Sequence, residues 1–352
     1  MSAVTPNPAP TDARLEELTR WLDSGLGLSS FRITPASADA SFRRYFRVQR
    51  AQGSLIVMDA PPERESIEPY LRVARMLLDI GVNVPRILEE NRARGFLLLS
   101  DLGTELYLPE LKAGRNVDGL YGDALAALLM IQARGAAHAA QLPPYDRPRL
   151  VQEMRLLPEW FLERHLQLTL DSEARDMLQA AFEFLLKEVL AQPRVFVHRD
   201  YHSRNLMICP GANPGILDFQ DAVSGAVAYD LVSLLRDLYV VWPEARVRDW
   251  VLGYRKRALA AGVDVGRSDA EFLRWFDLAG VQRHLKVLGI FARLWHRDGK
   301  PAYLDDLPAT LEYVMQVTGR YPELAALNDF LVNHARSQLG SARNRALSGV
   351  HG

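Results

Sequence analysis

The chain has 352 residues, which at about 150 residues per domain predicts roughly two domains or lobes. Its 42 basic and 43 acidic residues leave a formal net charge of −1, a balance that argues against a surface built for non-specific nucleic-acid binding. The single cysteine, Cys209, excludes an intrachain disulfide framework and a zinc site of several cysteines.

Two further features argue against membrane insertion and secretion. The uninterrupted apolar stretch Ala124–Ile131 is far shorter than the roughly 18 residues that a transmembrane helix needs. The opening segment MSAVTPNPAP has neither the basic nor the apolar region of a secretory signal. We therefore expect a cytoplasmic protein that uses no membrane and no nucleic acid as a partner, and that needs no obligate protein partner.

The first hundred residues predict one short helix followed by a run of strands. After a loose tail at 1–10, leucines recur at helical spacing from Leu15 to Leu22, and Gly25 ends the helix. A second helix is predicted at 67–80. β-branched and aromatic residues predict five strands, at Phe31–Thr34, Tyr45–Val48, Leu55–Met58, Val84–Leu88 and Phe96–Leu99.

Past Gly103 the pattern changes to long amphipathic stretches at about 119–137, 150–168 and 172–190. A compact strand, loop, strand, turn and strand follow between Val195 and Asp218, and helices resume from about 229 to 337. The order is typical of an α+β chain. It predicts a tail and helix at 1–30, a strand-rich lobe at 31–103, a mostly helical lobe at 104–340 and a flexible tail at 341–352.

One constellation in the second lobe carries recognisable chemistry. His198, Arg199, Asp200 and Asn205 form the pattern H-R-D-x-x-x-x-N, and Asp218 opens a D-F-Q thirteen residues later. Phosphoryl transfer from a nucleotide needs a carboxylate that orients the attacking hydroxyl, and oxygen ligands that hold Mg²⁺ against the phosphates. One Asp and one Asn supply the hard oxygens that magnesium prefers. Each residue alone could be a buried histidine or a turn cap, but the full pattern favours a kinase.

Other chemistries lack their patterns in this sequence. His198 and His202 lie four residues apart but without the glutamate of H-E-x-x-H. No G-x-x-x-x-G-K-[ST] phosphate loop and no G-x-S-x-G nucleophile motif occurs. Gly25 and Gly27 follow a helix and lack the third glycine of a dinucleotide-binding fingerprint.

The string HRDYHSRNLM, followed by ILDFQDAVSGAVAYDLVSLLRD, resembles the catalytic and metal-binding loops of the protein-kinase-like superfamily. With MDAPPE in the first lobe and RHLKVLGIFARLWHRDGKP near the end, it is similar to the aminoglycoside-phosphotransferase-type small-molecule kinases. Within them it looks like the bacterial anomeric kinases of N-acetylmuramate and N-acetylglucosamine in peptidoglycan recycling. The resemblance spans roughly residues 12 to 335.

This resemblance implies a two-lobed protein-kinase-like fold, ATP and Mg²⁺ as cofactors, and a small-molecule amino sugar as the substrate. It implies that Asp200 is the catalytic base and that Asn205 and Asp218 are the metal ligands. It also implies that His198 and Arg199 are structural and position the loop.

Three further residues each have two interpretations. Asp230 matches an acidic residue that braces the catalytic loop in such kinases, or it is a carboxylate at a helix N-terminus. Arg204 and Asp221 either contact sugar hydroxyls or are solvated turn residues.

Two departures from the resembled pattern concern nucleotide binding. Met58 and Asp59 stand where a strand-three lysine would pair with the phosphates, and the loop at 36–41 has no glycine. Arg43 and Arg44 either supply the missing positive charge or are solvated strand residues. The segment 99–102 resembles an adenine-binding hinge. The predicted nucleotide-binding residues are Ser37, Ser41, Arg43, Arg44, Ser100 and Leu102.

The sequence thus predicts an ATP-dependent kinase that converts N-acetylmuramate and N-acetylglucosamine to their 1-phosphates. Two alternatives stay open. The same scaffold could phosphorylate an aminoglycoside, choline or homoserine, and a cationic substrate would need clustered carboxylates around the site. The missing lysine would also fit a catalytically weak nucleotide-binding module.

Overall fold

The computed structural model of the protein describes residues 12–38 and 42–347. The predictions for 1–10, for Ser41 and for the last five residues of the tail lie outside these ranges. Two compact units make up the chain: the residues up to Ala74 with Pro85–Leu102, and Arg75–Val84 with the residues from Gly103 onward. Within the described ranges, no helix has the length and apolar character that a membrane span requires.

The first unit contains a five-stranded antiparallel sheet with the strand order β1-β2-β3-β5-β4. The expected strand at Val84–Leu88 is wrong at its start, because Pro85 has no N–H for a ladder and pairing begins only at Ile87. The other four expected strands are confirmed. The five are β1 (Arg32–Ala38), β2 (Arg44–Arg50), β3 (Gly53–Asp59), β4 (Ile87–Asn91) and β5 (Phe96–Ser100).

One face of this sheet is covered by the first helix, α1 (Ala13–Arg20), which continues as a π-helical turn, Trp21–Gly25. Asp12 caps the helix, since its side chain accepts from the Leu15 N–H at 3.0 Å. The apolar side of the helix packs on the sheet, and the Trp21 and Phe96 ring centroids lie 5.6 Å apart. The buried cluster is Leu18, Trp21, Leu22, Phe46, Val48, Val57, Phe96 and Leu98.

The second unit is mostly helical, which confirms the predicted α+β class. Helix α2 (Glu68–Ile80) runs from the first unit into the second. The remaining helices are α3 (Tyr107–Lys112), α4 (Val117–Arg134), α5 (Ala136–Ala139), α6 (Arg147–Met154), α7 (Ser172–Leu190), α8 (Tyr229–Leu235), α9 (Glu244–Ala260), α10 (Asp269–Asp298), α11 (Leu307–Thr318), α12 (Ala325–Phe330) and α13 (Arg336–Leu347). Short 3-10 and π-helical segments lie at Leu157–His165, Pro301–Asp306, Pro322–Leu324 and Leu331–Ala335.

Two small antiparallel ribbons interrupt these helices. Strand β6 (Arg194–Val197) pairs with β9 (Val223–Ala226), and β7 (Leu206–Met207) pairs with β8 (Gly215–Ile216). The H-R-D segment follows β6 and the D-F-Q segment follows β8, so the two ribbons bring both segments into one region of the second unit.

The 30-residue helix α10 is the buried centre of the second unit. Ser268 caps its start by accepting from the Glu271 N–H at 3.1 Å, and Gly299 ends it in the left-handed conformation. Gly289 allows a close approach, since a Cβ there would lie 2.4 Å from the Leu156 carbonyl carbon. This packing fixes α10, whose middle part carries the buried side chains of Arg283, His284 and Lys286.

One of them, His284, predicts a loss of stability in acid. Burial, followed by the nearby Arg283 charge, lowers its pKa to about 3, and its ring stacks on Tyr313 with centroids 5.3 Å apart. An unfolded histidine has a pKa near 6.5, so the neutral ring stabilises the fold fully above about pH 6.5, and this stabilisation is lost as the pH falls toward 3. We expect His284 to account for about 2 kcal/mol of lost unfolding free energy between pH 7 and pH 5.

The variant His284→Phe keeps a stacked ring without a titrating group. Urea denaturation at both pH values should show a weaker pH dependence for this variant than for the wild type. An identical dependence in both proteins would contradict the assignment.

Candidate active site

The H-R-D segment follows β6 directly, and the side chain of Asp230 on α8 holds its backbone. The His198 and Arg199 N–H groups donate to the two Asp230 carboxylate oxygens at 2.6 and 2.9 Å. Arg199 has a φ of +80°, a left-handed conformation that costs a non-glycine residue free energy and persists only when its surroundings fix it. The Asp230 carboxylate therefore fixes the strained turn that leads into Asp200.

Asp230 is fully buried, and burial raises its pKa to about 7. The two backbone hydrogen bonds lower the pKa, and the nearby Asp200 charge raises it. The carboxylate thus has little solvent to stabilise its charge and depends on the two N–H groups of the loop.

His198 connects the same loop to the residue before Asp218. Burial lowers the pKa of His198 to about 4, so the ring is neutral at pH 7. Its Nε2 lies 3.0 Å from the Leu217 carbonyl oxygen, and its Nδ1 lies 3.3 Å from the Asp200 N–H nitrogen. A neutral ring satisfies both contacts when Nε2 carries the proton, donating to Leu217 and accepting from Asp200.

The β7–β8 ribbon brings Asn205 and Asp218 together. Asn205 precedes β7 and Leu217 follows β8, and the Leu217 N–H donates to the Asn205 carbonyl at 2.9 Å. The Asn205 side-chain Nδ2 lies 3.0 Å from the Asp200 carbonyl oxygen and 3.4 Å from Asp218 Oδ2. The three residues predicted to carry the chemistry therefore lie within one hydrogen-bonded group.

Asp218 has a φ of +58°, so it is a second strained non-glycine residue at this site. Its Oδ1 accepts from the Gln220 Nε2 at 2.7 Å. Gln220 is the third residue of D-F-Q, and it orients the Asp218 carboxylate in a way that the motif alone does not reveal.

The surroundings of Asp200 are rich in positive charge. Burial raises its pKa, but the charges of Lys286, His202 and Arg199 outweigh burial, so the net pKa lies below the usual value. Asp200 is therefore ionised at neutral pH and able to accept a proton.

A buried ion network that sequence reasoning missed stabilises this arrangement. Glu153 on α6 accepts from Arg199 Nη2 at 2.6 Å and from Lys286 Nζ on α10 at 3.1 Å. Tyr145 also donates to Glu153, and its hydroxyl lies 3.1 Å from that of Tyr229. Arg199 thus positions the loop through Glu153. Lys286 lies within the string RHLKVLGIFARL, which is the feature of the sequence that could have pointed to its role.

A second missed residue, Asp237, holds the middle of the loop. It accepts from the Ser203 N–H at 3.0 Å and from the Ser203 hydroxyl, and its other oxygen accepts from the Tyr239 N–H at 3.1 Å. The two predicted substrate residues lie at the surface: the Arg204 guanidinium is exposed and stacks 3.6 Å from the Tyr239 ring centroid, and Asp221 is an exposed turn residue.

The predicted nucleotide-binding arginines lie in the first unit and are paired with carboxylates. Arg43 bonds Glu65, with Nε 2.8 Å from Oε1, and it is buried, so its interpretation as a solvated strand residue is wrong. Arg44 bonds Asp12 and the fully buried Asp59, at 2.6 Å from the latter. Binding of phosphate by either arginine stays a prediction.

The other nucleotide predictions concern β1, a loop and the hinge. Ser37 lies in β1, and Ser41 lies outside the described residues. The Ser100 hydroxyl accepts from the Arg86 N–H at 2.9 Å, and Leu102 ends the first unit. Their contact with a nucleotide also stays a prediction.

The contribution of the two Asp230 hydrogen bonds can be tested by measuring the stability of variants. Asp230→Ala leaves two buried N–H groups without an acceptor, so we expect the unfolding free energy to fall by about 2–4 kcal/mol. Asp230→Asn keeps one acceptor oxygen, so its unfolding free energy should fall by less. Urea denaturation measures both variants. The control, Asp176→Ala, removes an exposed carboxylate on α7 and should change stability by less than about 0.5 kcal/mol. Equal stability of the two alanine variants would show that the Asp230 hydrogen bonds do not stabilise the loop.

Comparison with proteins of known sequence gives matches over most of the chain. The sequence profile of the phosphotransferase enzyme family matches residues 32–268. An N-acetylmuramate/N-acetylglucosamine kinase of Pseudomonas aeruginosa is 48% identical over 332 residues, covering 92% of this chain and 97% of that protein. One of Neisseria meningitidis is 45% identical over 320 residues, covering 90% and 94%.

Solved structures share the fold at low identity. The choline kinase LicA from Streptococcus pneumoniae matches with a TM-score of 0.61 and 11% identity, covering 86% of this chain and 100% of that one. The aminoglycoside phosphotransferase APH(2'')-Ib matches with a TM-score of 0.56 and 15% identity, covering 86% and 98%. The predicted protein-kinase-like fold is confirmed. With the family match over two thirds of its length and close relatives over nine tenths, this chain belongs to the phosphotransferase enzyme family.

Proposed function

We propose that this protein is an ATP- and Mg²⁺-dependent kinase that phosphorylates the anomeric hydroxyl of N-acetylmuramate and N-acetylglucosamine. The product would be the sugar 1-phosphate, made in the cytoplasm during cell-wall recycling. The observation that carries the chemistry is the convergence of Asp200, Asn205 and Asp218 through the Asn205 side chain. The names of relatives at 45–48% identity support an amino sugar as the acceptor.

In this proposal Asp200 acts on the hydroxyl of the acceptor. Its carboxylate is ionised at neutral pH and takes the proton as the acceptor oxygen bonds to the γ-phosphorus of ATP and the bond from that phosphorus to the departing ADP breaks. In a loose transition state the proton leaves late, so a weak base suffices when it is well positioned. A hemiacetal hydroxyl is more acidic than a simple alcohol, which eases this step. His198 and Asp230 position Asp200 through the backbone of the loop.

The residues present fit a magnesium ion. The Asn205 amide nitrogen donates to the Asp200 carbonyl and also lies 3.4 Å from Asp218 Oδ2, so the Asn205 amide and the Asp218 carboxylate are neighbours that each offer a hard oxygen. Asn205 and Asp218 would hold the ion. When bound, the ion offsets the negative charge of the nucleotide phosphates.

The choice between an amino sugar and a cationic acceptor such as choline or an aminoglycoside rests on the relatives. Lys286 and Arg199 are paired with Glu153, and the carboxylates of Asp218 and Asp230 lie in the same region. The relatives at 45–48% identity are named N-acetylmuramate/N-acetylglucosamine kinases, which favours the amino sugar. The binding-module alternative lacks a specific observation in its favour.

The direct test is a coupled ATP assay over N-acetylmuramate, N-acetylglucosamine, choline, homoserine and an aminoglycoside. We expect turnover with the two amino sugars only, and phosphorus NMR should locate the phosphate on C1. Phosphorylation at another hydroxyl would refute the anomeric assignment, and ATP use independent of any sugar would refute the sugar kinase.

Removing the base should affect turnover and spare nucleotide binding. We expect Asp200→Asn to lower kcat by roughly 10²–10⁴-fold, because the amide cannot accept the proton. Calorimetry should show Mg-ATP affinity close to that of the wild type. Asp176→Asn makes the same substitution at an exposed position on α7 and is the control. Near-normal turnover of Asp200→Asn would remove Asp200 from the role of base.

Removing a metal ligand should act on the nucleotide complex instead. We expect Asp218→Asn to weaken Mg-ATP binding and to shift activity to higher Mg²⁺ concentration, since one charged ligand is lost. Magnesium titrations of activity measure this shift. An unchanged magnesium dependence would contradict the assignment of Asp218.

A further inference from the structure

Arg199, the residue before Asp200, is held at both of its ends by carboxylates. Its backbone N–H donates to Asp230 Oδ1 at 2.9 Å, and its side-chain Nη2 donates to Glu153 Oε1 at 2.6 Å. Its φ of +80° is a conformation that a non-glycine residue keeps only when its surroundings fix it. The direction in which the chain enters Asp200 therefore depends on two carboxylates, one at each end of Arg199.

Glu153 is fixed in turn by two further donors. It accepts from Lys286 Nζ at 3.1 Å, and the Tyr145 hydroxyl donates to its Oε2. The side chain of Glu153 is 11% exposed and that of the lysine 9%. A buried carboxylate that is hydrogen-bonded by three donors is held rigidly, because any other rotamer would leave it and its partners unsatisfied. Glu153 thus offers the Arg199 guanidinium a fixed acceptor.

The same network reaches α8, the helix that carries Asp230. The Tyr145 hydroxyl lies 3.1 Å from that of Tyr229, the residue before Asp230, and the lysine Nζ lies 3.4 Å from the Tyr229 hydroxyl. A tyrosine hydroxyl has one hydrogen, so Tyr145 donates to Glu153 and accepts from Tyr229. Two successive residues of α8 therefore hold the backbone of Arg199 directly and its side chain through Glu153.

We propose that Glu153 is a positioning residue for phosphoryl transfer, an inference that rests on the proposed kinase function. Glu153 acts through the Arg199 side chain, which sets the orientation of Asp200 toward the acceptor hydroxyl. A misplacement of about 1 Å at the reacting groups can cost about 10²-fold in rate. Loss of the Glu153 contact therefore lowers kcat and leaves the affinity for both substrates nearly unchanged.

The first test is Glu153→Gln, which keeps the shape of the side chain and removes its charge. We expect kcat to fall by about 10- to 100-fold, with KM for ATP and for the sugar within about twofold of the wild type. The matched control is Glu183→Gln, since Glu183 forms an exposed ion pair with Arg147, and it should leave kcat unaltered. A wild-type kcat in Glu153→Gln, or an effect on KM alone, would overturn the proposal.

A double-mutant cycle shows whether Glu153 acts through Arg199. Arg199→Met removes the guanidinium and leaves Glu153 paired with Lys286. If the two residues act as one unit, Glu153→Gln should lower kcat no further in the Arg199→Met background. Losses of kcat that multiply in the double variant would overturn the proposal, because Glu153 would then act independently of Arg199.

Tyr145→Phe replaces Glu153→Gln if the latter does not fold. It removes only the hydroxyl donor to Glu153 and leaves both ion pairs in place. We expect kcat to fall by about 3- to 10-fold at unchanged KM, as for one lost hydrogen bond. A wild-type kcat in this variant would then contradict the role given to the network.

Amide hydrogen exchange of the protein without substrates makes the test independent of the reaction. The peptide that contains 198–200 should exchange about tenfold faster or more in Glu153→Gln than in the wild type, and Glu183→Gln should not change it. Unchanged exchange in Glu153→Gln would overturn the proposal. Failure of the proposed function gives a different result: the wild type would not phosphorylate the sugars, while exchange of this peptide would still depend on Glu153.

Discussion

The site depends on one carboxylate that accepts hydrogen bonds from two backbone N–H groups. Asp230 bonds the N–H groups of His198 and Arg199, and Arg199 holds a left-handed conformation that it would not adopt by itself. From this turn the chain reaches Asp200, and the Asp200 carbonyl accepts from Asn205. The placement of the proposed base and of a proposed metal ligand thus follows from a backbone conformation, and that conformation is stabilised by a side chain on helix α8.

The electrostatics of the site follow from cations that surround buried carboxylates. Glu153 is one carboxylate shared by two cations, Arg199 and Lys286, and the charge of Arg283 acts on Asp200 and Asp230. These cations keep Asp200 ionised despite its burial. The proposed phosphoryl transfer would bring further negative charge to the same place, where the cations are already positioned to stabilise it.

The sequence predicted the contacts between residues that lie close together along the chain. The spacing of Asp200, Asn205 and Asp218 reflects a loop and a short ribbon, so the motif alone predicts their proximity. Glu153 and Asp237 reach the loop from distant segments, and no spacing in the sequence encodes their contacts. The pairing of Arg44 with Asp59 and Asp12 was missed for the same reason, because it depends on the register of β2 with β3 and on the residue that caps α1. The pairing of Arg43 with Glu65 joins two loop segments and was missed likewise.

Helix α10 links the packing of the second unit to the geometry of the loop. Lys286 and Arg283 lie one turn apart and thus on one face of the helix. Lys286 helps Glu153 to hold Arg199, and the charge of Arg283 helps to lower the pKa of Asp200. The close approach of the helix at Gly289 fixes the position of this face. A substitution that shifts the helix at Gly289 would therefore change, through Lys286 and Glu153, the turn before Asp200.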